Sequence, residues 1–275
     1  MAPGLKPFGT DFANGNLDQV LFQMDSEFPR FRASKLACIS ERSEKYRQRC
    51  RLNPEVEAAA AETIANRLCA DWPDLFSRSD DALTAAITGE QVPLRLDDLL
   101  LQVAEDVAIV QVDEGVDWIA YLNLFSPSHW SAESKIGKSF FATHEPIPGF
   151  ERVNAVAGAM VDSMIRRGPF VRFVWGLESD DRPNHHPEPP PGEYPIEWHG
   201  RQFERGWVVR FERQTVWGLP NLNAALFVIR VGFVASETVL ADPASFESLC
   251  AAVRSMSPEA RLYKGVSGFL EAVCG

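Results

Sequence analysis

The residues best suited to chemistry lie in one segment, 126–149, which reads SPSHWSAESKIGKSFFATHEPIPG. It contains His129 and His144 and ends in a rigid Pro-Ile-Pro-Gly turn. A neutral imidazole held beside apolar side chains, here Phe140 and Phe141, is a suitable axial ligand for heme iron. The same pattern fits a core histidine whose ring bonds a backbone carbonyl. The residues alone leave both interpretations open.

A second candidate is Glu212, which interrupts an otherwise apolar strand predicted over residues 208–216. Side chains alternate along a strand, so Glu212 shares one face with Arg210 and Gln214, and Arg213 lies on the other. A buried carboxylate needs a cation or hydrogen-bond donors. Glu212 therefore either holds a protonated amine or pairs with Arg210 or Arg213, unless its face is solvated.

Several familiar catalytic motifs are absent from the sequence, including the phosphate-binding G-x-x-x-x-G-K-[ST] and the dinucleotide-binding G-x-G-x-x-G. Pro146 follows the pair His144-Glu145 and forbids the helix that an H-E-x-x-H zinc site needs. His185 and His186 are adjacent in a proline-rich stretch, which favours a solvated loop pair. The 5 cysteines are scattered and form no C-x-x-C pair, which is typical of a reducing compartment.

Charge and hydropathy exclude further classes of function. The 27 Lys and Arg against 38 Asp and Glu give a net charge of −11, which does not attract nucleic acid. One basic stretch, 42–51, is expected to be a solvated face or a contact for an acidic partner rather than a nucleic-acid site. Neither a signal peptide nor a membrane-spanning run is visible, so we expect a cytoplasmic protein without membrane or nucleic-acid partners.

The elements that must position these residues are predicted from periodicity and capping. A helix begins after the N-cap Asn53 and extends to about Leu68, and Asp97 caps a shorter helix. A β-hairpin turns at 113–115, and a helix covers about 153–166. Three strands follow, around Val171, Val209 and Val228, and two helices close the chain after Pro243 and Pro258.

The order of these elements predicts an α+β fold with an antiparallel sheet, because consecutive strands replace strict βαβ alternation. Residues 1–52 are interpreted as an N-terminal arm on the core, and residues 53–275 as one domain. A proline-rich loop at about 180–195 is predicted to join two strands of the sheet.

Four stretches in the order LQVAEDVAIV, FSPSHWSAESKIGKSFFATHEPIPG, VRFVW and RFERQTVWGLPNLNAALFVIRV resemble the heme-dependent oxidative N-demethylase α-subunit family. The resemblance spans roughly residues 42–231. It implies a PAS-like fold that holds heme b, and NADPH-driven, oxygen-dependent oxidation of an amine. It also implies that flavin and iron–sulfur chemistry belong to a partner reductase, in agreement with the missing motifs.

The resemblance assigns roles to individual residues. His144 occupies the H-x-P-[IV]-P-G position and is assigned as the proximal heme ligand, with His129 as the alternative. Lys135 and Arg172 are basic groups that pair with the heme propionates, unless they are surface cations. One departure stands out: this chain has Val174 where the family usually has Asn in an Arg-x-Asn-Trp phrase, which argues against dimethylamine as the substrate.

The leading hypothesis is thus a heme-dependent monooxygenase that oxidises a C–H bond next to an amine nitrogen, with O2 as co-substrate and electrons from a separate NADPH reductase. A heme-based sensor or carrier of a gas, without turnover, is the alternative from another class. A third hypothesis is a homologue that binds no heme and acts in assembly.

Overall fold

The computed structural model describes residues 4–149, 151, 155–193, 203 and 206–274. Its helices are α1 (Phe28–Tyr46), α2 (Pro54–Asp71), α3 (Leu96–Leu99), α4 (Ala132–Lys135), α5 (Phe140–His144), α6 (Ala157–Arg166), α7 (Ser236–Leu240), α8 (Pro243–Arg254) and α9 (Pro258–Tyr263). Its strands are β1 (Lys6–Pro7), β2 (Arg47–Arg49), β3 (Phe76–Arg78), β4 (Ala82–Ala85), β5 (Glu90–Pro93), β6 (Asp106–Asp113), β7 (Val116–Asn123), β8 (Phe170–Glu178), β9 (Val208–Leu219) and β10 (Ala224–Ala235).

A seven-stranded antiparallel sheet organises the chain, in the order β1-β8-β9-β10-β6-β7-β2. Strands β3, β4 and β5 form a separate small sheet.

Local sequence explains the start of α2 and the turn between β6 and β7. The Asn53 side chain accepts a hydrogen bond from the Glu55 amide, and Pro54 begins α2. Glu114 and Gly115 both have positive φ, as a two-residue hairpin turn between β6 and β7 requires. The predicted α+β class with a large antiparallel sheet is confirmed.

The two faces of the large sheet are covered by different parts of the chain. We call one the arm-covered face, because Phe8 packs edge-on against Trp217 of β9 and Phe12 against Phe173 of β8. The main hydrophobic core, which includes α2, lies on this side. The other is the helix-covered face, where Val161 and Ile165 of α6 pack against Val216 and Ala225, and Ala132 of α4 packs against the hairpin.

Three features of the structure differ from the sequence expectation. The predicted arm contains the 19-residue helix α1 and the edge strand β2, which the irregular pattern of polar and aromatic residues did not indicate. Asp97 lies inside α3 and does not cap it; its carboxylate binds Arg49 and Tyr121. Helix α6 begins at Ala157, and the predicted start at 153–154 lies outside the described residues, as do positions 194–195 of the proline-rich loop.

The C-terminal segment is tied back to α8 by a disulfide between Cys250 and Cys274. This bond departs from the reducing compartment that the scattered cysteines predict. The other three, Cys38, Cys50 and Cys69, are free thiols. Within the described part of the chain, the helices are too short or too polar to cross a bilayer.

The basic stretch at 42–51 is paired within the chain. Arg42 binds the carboxylates of Glu133 and Glu188, and Arg49 binds those of Glu57 and Asp97. These contacts join α1 and β2 to α2, α3, α4 and the proline-rich loop. These acids belong to the same chain, and a contact of this stretch with an acidic partner stays a prediction.

Gly218 sets how closely α6 approaches the helix-covered face. A Cβ at this position would lie 2.0 Å from the Ile165 carbonyl oxygen, so an alanine forces α6 away from β9. We expect Gly218→Ala to lower the free energy of unfolding by about 2 kcal/mol or more in urea denaturation, as overpacking does. Gly176→Ala is the matched control, since no atom lies within 4 Å of its added Cβ. Equal stability of the two variants would contradict this packing.

Candidate functional site

Strands β8 and β9 place a polar chain of contacts on the helix-covered face. Arg172 lies opposite Gln214 in the antiparallel register, and Val174 lies opposite Glu212. The Arg172 Nε donates to the Gln214 Oε1 at 2.7 Å, and the Gln214 Nε2 donates to the Glu212 Oε2 at 2.8 Å. The strand register thus links a half-buried guanidinium to a half-buried carboxylate through one amide.

Helix α5 carries His144 against the same side of the sheet. The Ser139 hydroxyl caps the helix by accepting from the Ala142 amide, and the Phe140 amide donates to the Asp117 carboxylate at the end of the hairpin. The His144 Nδ1 lies 2.7 Å from the Phe140 carbonyl oxygen, and the rings of the two residues are 4.1 Å apart. Because a carbonyl only accepts, the proton is on Nδ1 and the lone pair is on Nε2.

The turn after His144 and the side chain of Lys135 restrain α5 further. The Ile147 amide donates to the His144 carbonyl at 3.0 Å, at the start of the Pro-Ile-Pro-Gly turn. The Lys135 Nζ donates to the Thr143 carbonyl at 3.0 Å, which brings its charge beside the imidazole. These two contacts restrain the backbone at Thr143 and His144.

Burial and two cations keep the His144 imidazole neutral. Burial lowers its pKa from the ordinary 6.5, and the nearby charges of Arg172 and Lys135 lower it further, against the opposing effect of the Phe140 hydrogen bond. Burial also lowers the pKa of Lys135 and of Arg172, and Glu212 opposes the effect on Arg172. We call His144, Lys135, Arg172 and Glu212 the His144 cluster, because Arg172 and Lys135 both lower the pKa of His144 and Glu212 opposes the lowering at Arg172.

The alternation predicted for β9 is confirmed. Glu212 is on the helix-covered face with Arg210 and Gln214, whereas Arg213 is on the arm-covered face, where it donates to the carbonyls of Val20 and Leu21. The buried guanidinium of Arg210 donates to the carbonyls of Ser126 and Pro183. Of the two arginines considered as partners for Glu212, only Arg210 is therefore on its face.

His129 belongs to a different group of side chains. Its Nε2 lies 2.9 Å from the Glu178 Oε2, and the ring of His185 is 5.2 Å away. His185 and His186 are only 1% and 2% exposed, so the expectation of a solvated loop pair is wrong. Proline-rich loops usually lie on the surface, but residues 183–186 of this one are buried, and the His185 backbone bonds the segment that carries His129. His199 lies outside the described residues.

Sequence reasoning missed Glu178, Asp180 and His185 as site residues. Glu178 ends β8, and the Asp180 carboxylate binds His185 Nε2 at 2.9 Å and Arg182. A usable signal is present in the sequence, since carboxylates at 178 and 180 and histidines at 185 and 186 bracket the turn. Its link to His129, however, spans more than 50 residues and is not a local pattern.

A sequence model of the family described as haem-dependent oxidative N-demethylase, alpha subunit-like, matches residues 14–274. The chain belongs to this family. The match covers almost the whole chain, including α1 and the C-terminal helices that the resemblance in the sequence did not reach. The family is described as an alpha subunit, which implies a partner subunit.

The residues of the His144 cluster fit a heme, as a haem-dependent family requires. A histidine ligand to iron commonly donates its other ring N–H to a carbonyl, which orients the ring, and His144 has this arrangement with Phe140. The lowered pKa favours the neutral imidazole, the form in which a histidine binds iron. Lys135 and Arg172 are the positively charged members of the cluster, and their pairing with heme propionates stays a prediction.

The protonation state of His144 gives a test of this geometry. In the chain without added heme, we expect long-range 1H–15N NMR to find the Nδ1–H tautomer and a pKa below 6.5. Lys135→Gln should raise that pKa, because it removes a neighbouring positive charge, while Lys138→Gln at an exposed position should change it less. Since the unfolded imidazole takes up its proton at the higher pH, acidification below about 6.5 also lowers the free energy of unfolding. An Nε2–H tautomer, or no response to Lys135→Gln, would contradict the arrangement.

Proposed function

We propose that this protein is a heme-dependent monooxygenase that oxidises a C–H bond next to an amine nitrogen, with one heme b on the helix-covered face. The observation that carries the proposal is the convergence of His144, Lys135, Arg172 and Glu212. They come from three separate elements, α4, α5 and the β8–β9 pair; Lys135 donates to the Thr143 carbonyl of α5, and Arg172 is joined to Glu212 through Gln214. Membership in the haem-dependent family supports heme as the group that uses them.

In this proposal His144 is the proximal ligand through Nε2. The Phe140 carbonyl holds its ring in one orientation, and Lys135 and Arg172 neutralise the propionates. His129 remains the alternative ligand from the sequence, but its contact with Glu178 favours a different role. Oxygen activation and oxidation of the C–H bond are the chemistry that a bound heme supplies.

Glu212 is proposed to bind the substrate as a protonated amine. Gln214 donates to one oxygen of its carboxylate and so fixes the orientation in which the carboxylate meets an ammonium group. Val174 lies opposite Glu212 in the strand pair, at the position where the family usually has an amide. An apolar side chain there favours an amine with a larger apolar substituent than dimethylamine carries.

Electrons are proposed to come from a separate reductase that contains the NADPH, flavin and iron–sulfur sites. The description of the family as an alpha subunit supports such a division. The purified chain alone should then leave NADPH unconsumed, whatever amine is added.

We also propose a PAS-like scaffold for residues 53–275, with residues 1–52 as an arm, and a cytoplasmic location. Strands β6 and β10 are neighbours at the centre of the sheet. Helices α4, α5 and α6 follow β7 and precede β8 in the chain. All three helices lie on one face, which supports a ligand held between them and the sheet. The packing of Phe8 and Phe12 on the opposite face supports the arm.

A gas sensor without turnover needs the heme ligand but no substrate carboxylate. The position of Glu212 on the same face as His144 therefore favours the enzyme. The two functions separate when an amine panel is tested with O2, NADPH and a reductase.

Heme ligation is tested by reconstitution with hemin and measurement of the Soret band. We expect His144→Ala to lose or strongly shift the band, because the axial nitrogen is removed, whereas His129→Ala retains it. Circular dichroism checks that both variants are folded. Loss of the band in His129→Ala alone would show that the ligand assignment is wrong.

The substrate role of Glu212 is tested by titrating secondary amines into the heme-loaded protein and following the visible spectrum. Glu212→Gln should weaken amine binding by about 1.5–3 kcal/mol, as loss of a charge-assisted hydrogen bond does, which is roughly a ten- to hundredfold change. Heme loading should be unchanged. Glu247→Gln, at an exposed position on α8, is the control. An unchanged titration in Glu212→Gln would make the carboxylate structural.

A further inference from the structure

His129, Glu178 and His185 converge from three segments: the chain after β7, the last residue of β8 and the proline-rich loop. Each offers one possible ligand atom, and the three atoms all lie within 4.8 Å of one another. We propose that they bind one divalent metal ion of the zinc class, at a site separate from the His144 cluster. Two imidazoles and one carboxylate are a donor set typical of Zn2+, with the remaining position taken by water.

The distances fit such an ion. Nitrogen and oxygen ligands about 2.0–2.2 Å from a tetrahedral Zn2+ lie about 3.3 Å from one another. The Glu178 Oε2 is 2.9 Å from the His129 Nε2 and 3.6 Å from the His185 Nδ1, on either side of that value. The third separation, between the His129 and His185 ligand atoms, is at most 4.8 Å.

Asp180 orients the His185 ring in the way that a carboxylate outside a metal's ligand set orients a histidine ligand. The His185 Nε2 lies 2.9 Å from the Asp180 Oδ1, and Arg182 holds the same carboxylate through two hydrogen bonds. With Nε2 donating to Asp180, Nδ1 is the ring nitrogen that faces the Glu178 Oε2, at 3.6 Å, and is the proposed metal ligand. Carboxylate–histidine–zinc arrangements have this form.

The backbone brings the two histidines together before any ion binds. The His129 amide donates to the His185 carbonyl at 2.9 Å, and the His185 amide donates to the Pro127 carbonyl at 3.1 Å. The buried Arg210 fastens both segments from β9 through the carbonyls of Ser126 and Pro183. His129 has φ of +63°, in the left-handed region that is unfavourable for a non-glycine residue. This unfavourable backbone conformation lies at His129, one of the three proposed ligands.

The solvent access of the three residues and their distance from the His144 cluster also fit a separate metal site. Glu178 and His185 are nearly fully buried, while the His129 side chain is 23% exposed, so an ion and its water reach the group from that side. Arg172 and Glu178 are six residues apart on β8, which is roughly 20 Å along the strand. A heme ligated by His144 and a metal held by Glu178 therefore occupy opposite ends of one strand.

The test is a zinc titration of the tag-free, chelator-stripped full chain against a chromophoric indicator, with Co2+ absorption as a second readout of coordination. We expect one equivalent of Zn2+ to bind and the visible Co2+ bands to indicate a four-coordinate site. Zinc should also raise the melting temperature, because it binds the folded state. Failure to bind one equivalent overturns the proposal, and the shared contacts are then explained by a proton on His185 between Asp180 and Glu178.

Variants locate the site. Glu178→Gln and His185→Ala should abolish stoichiometric binding, and Asp180→Asn should weaken it about ten- to hundredfold, as loss of an outer partner does. His186→Gln, at the adjacent buried histidine, should retain the ion. His144→Ala should lose heme but keep zinc, so this proposal and the heme proposal fail independently. Unchanged zinc affinity in both Glu178→Gln and His185→Ala would place the ion elsewhere and overturn the assignment.

Discussion

The alternation of side chains along β9, fixed by its pairing with β8 and β10, is the constraint on which the rest of the structure depends. Twelve consecutive positions of β9 pair with β10 without a bulge. Every second residue therefore faces the arm, and the others face α4, α5 and α6. Arg213 is used to anchor the arm, while Glu212 and Gln214 are directed to the opposite side. A shift of one residue in this register would exchange the two sets.

Buried charges hold the segment between β7 and α4 in the place that this register requires. Asp106 at the start of β6 accepts hydrogen bonds from the Phe125 and Ser126 amides, and burial raises its pKa to about 6. Lys35 of α1 donates to the Leu100 and Glu105 carbonyls, and burial lowers its pKa to about 8. Because each group has internal partners, the desolvation cost is partly offset. The Asp106 contacts fix the path of the chain at Phe125 and Ser126, just before the segment that carries His129.

Local patterns were sufficient for α2, for the β6–β7 hairpin turn and for the two faces of β9. The Asn53-Pro54 start of α2, the hairpin turn at Glu114-Gly115 and the alternation that isolates Glu212 were all predictable, because each depends on residues close in sequence. The convergence of His144 with Lys135 also follows from one short segment. The contact of Arg172 with Gln214, in contrast, needs the register of two strands separated by the proline-rich loop.

The features that were not predicted depend on long-range contacts. His185 is buried because its loop bonds the backbone at 127–129, and nothing in the proline-rich sequence indicates that partner. Helix α1 has polar residues on much of its surface, so its sequence shows no clear apolar stripe. Part of its contact with the rest of the chain is made by ion pairs with acids that are distant in sequence. Cys250 and Cys274 are paired because the C-terminal segment returns to α8, which their spacing alone does not indicate.

The measurement that tests the central claim most directly is a crystal structure of the heme-loaded protein. The account predicts iron on the helix-covered face at about 2.0–2.1 Å from the His144 Nε2, a distance typical of metal–imidazole bonds. The His144 Nδ1 should still contact the Phe140 carbonyl, and the propionates should lie beside Lys135 and Arg172. Iron coordinated by His129, or a heme bound away from this face of the sheet, would contradict the account.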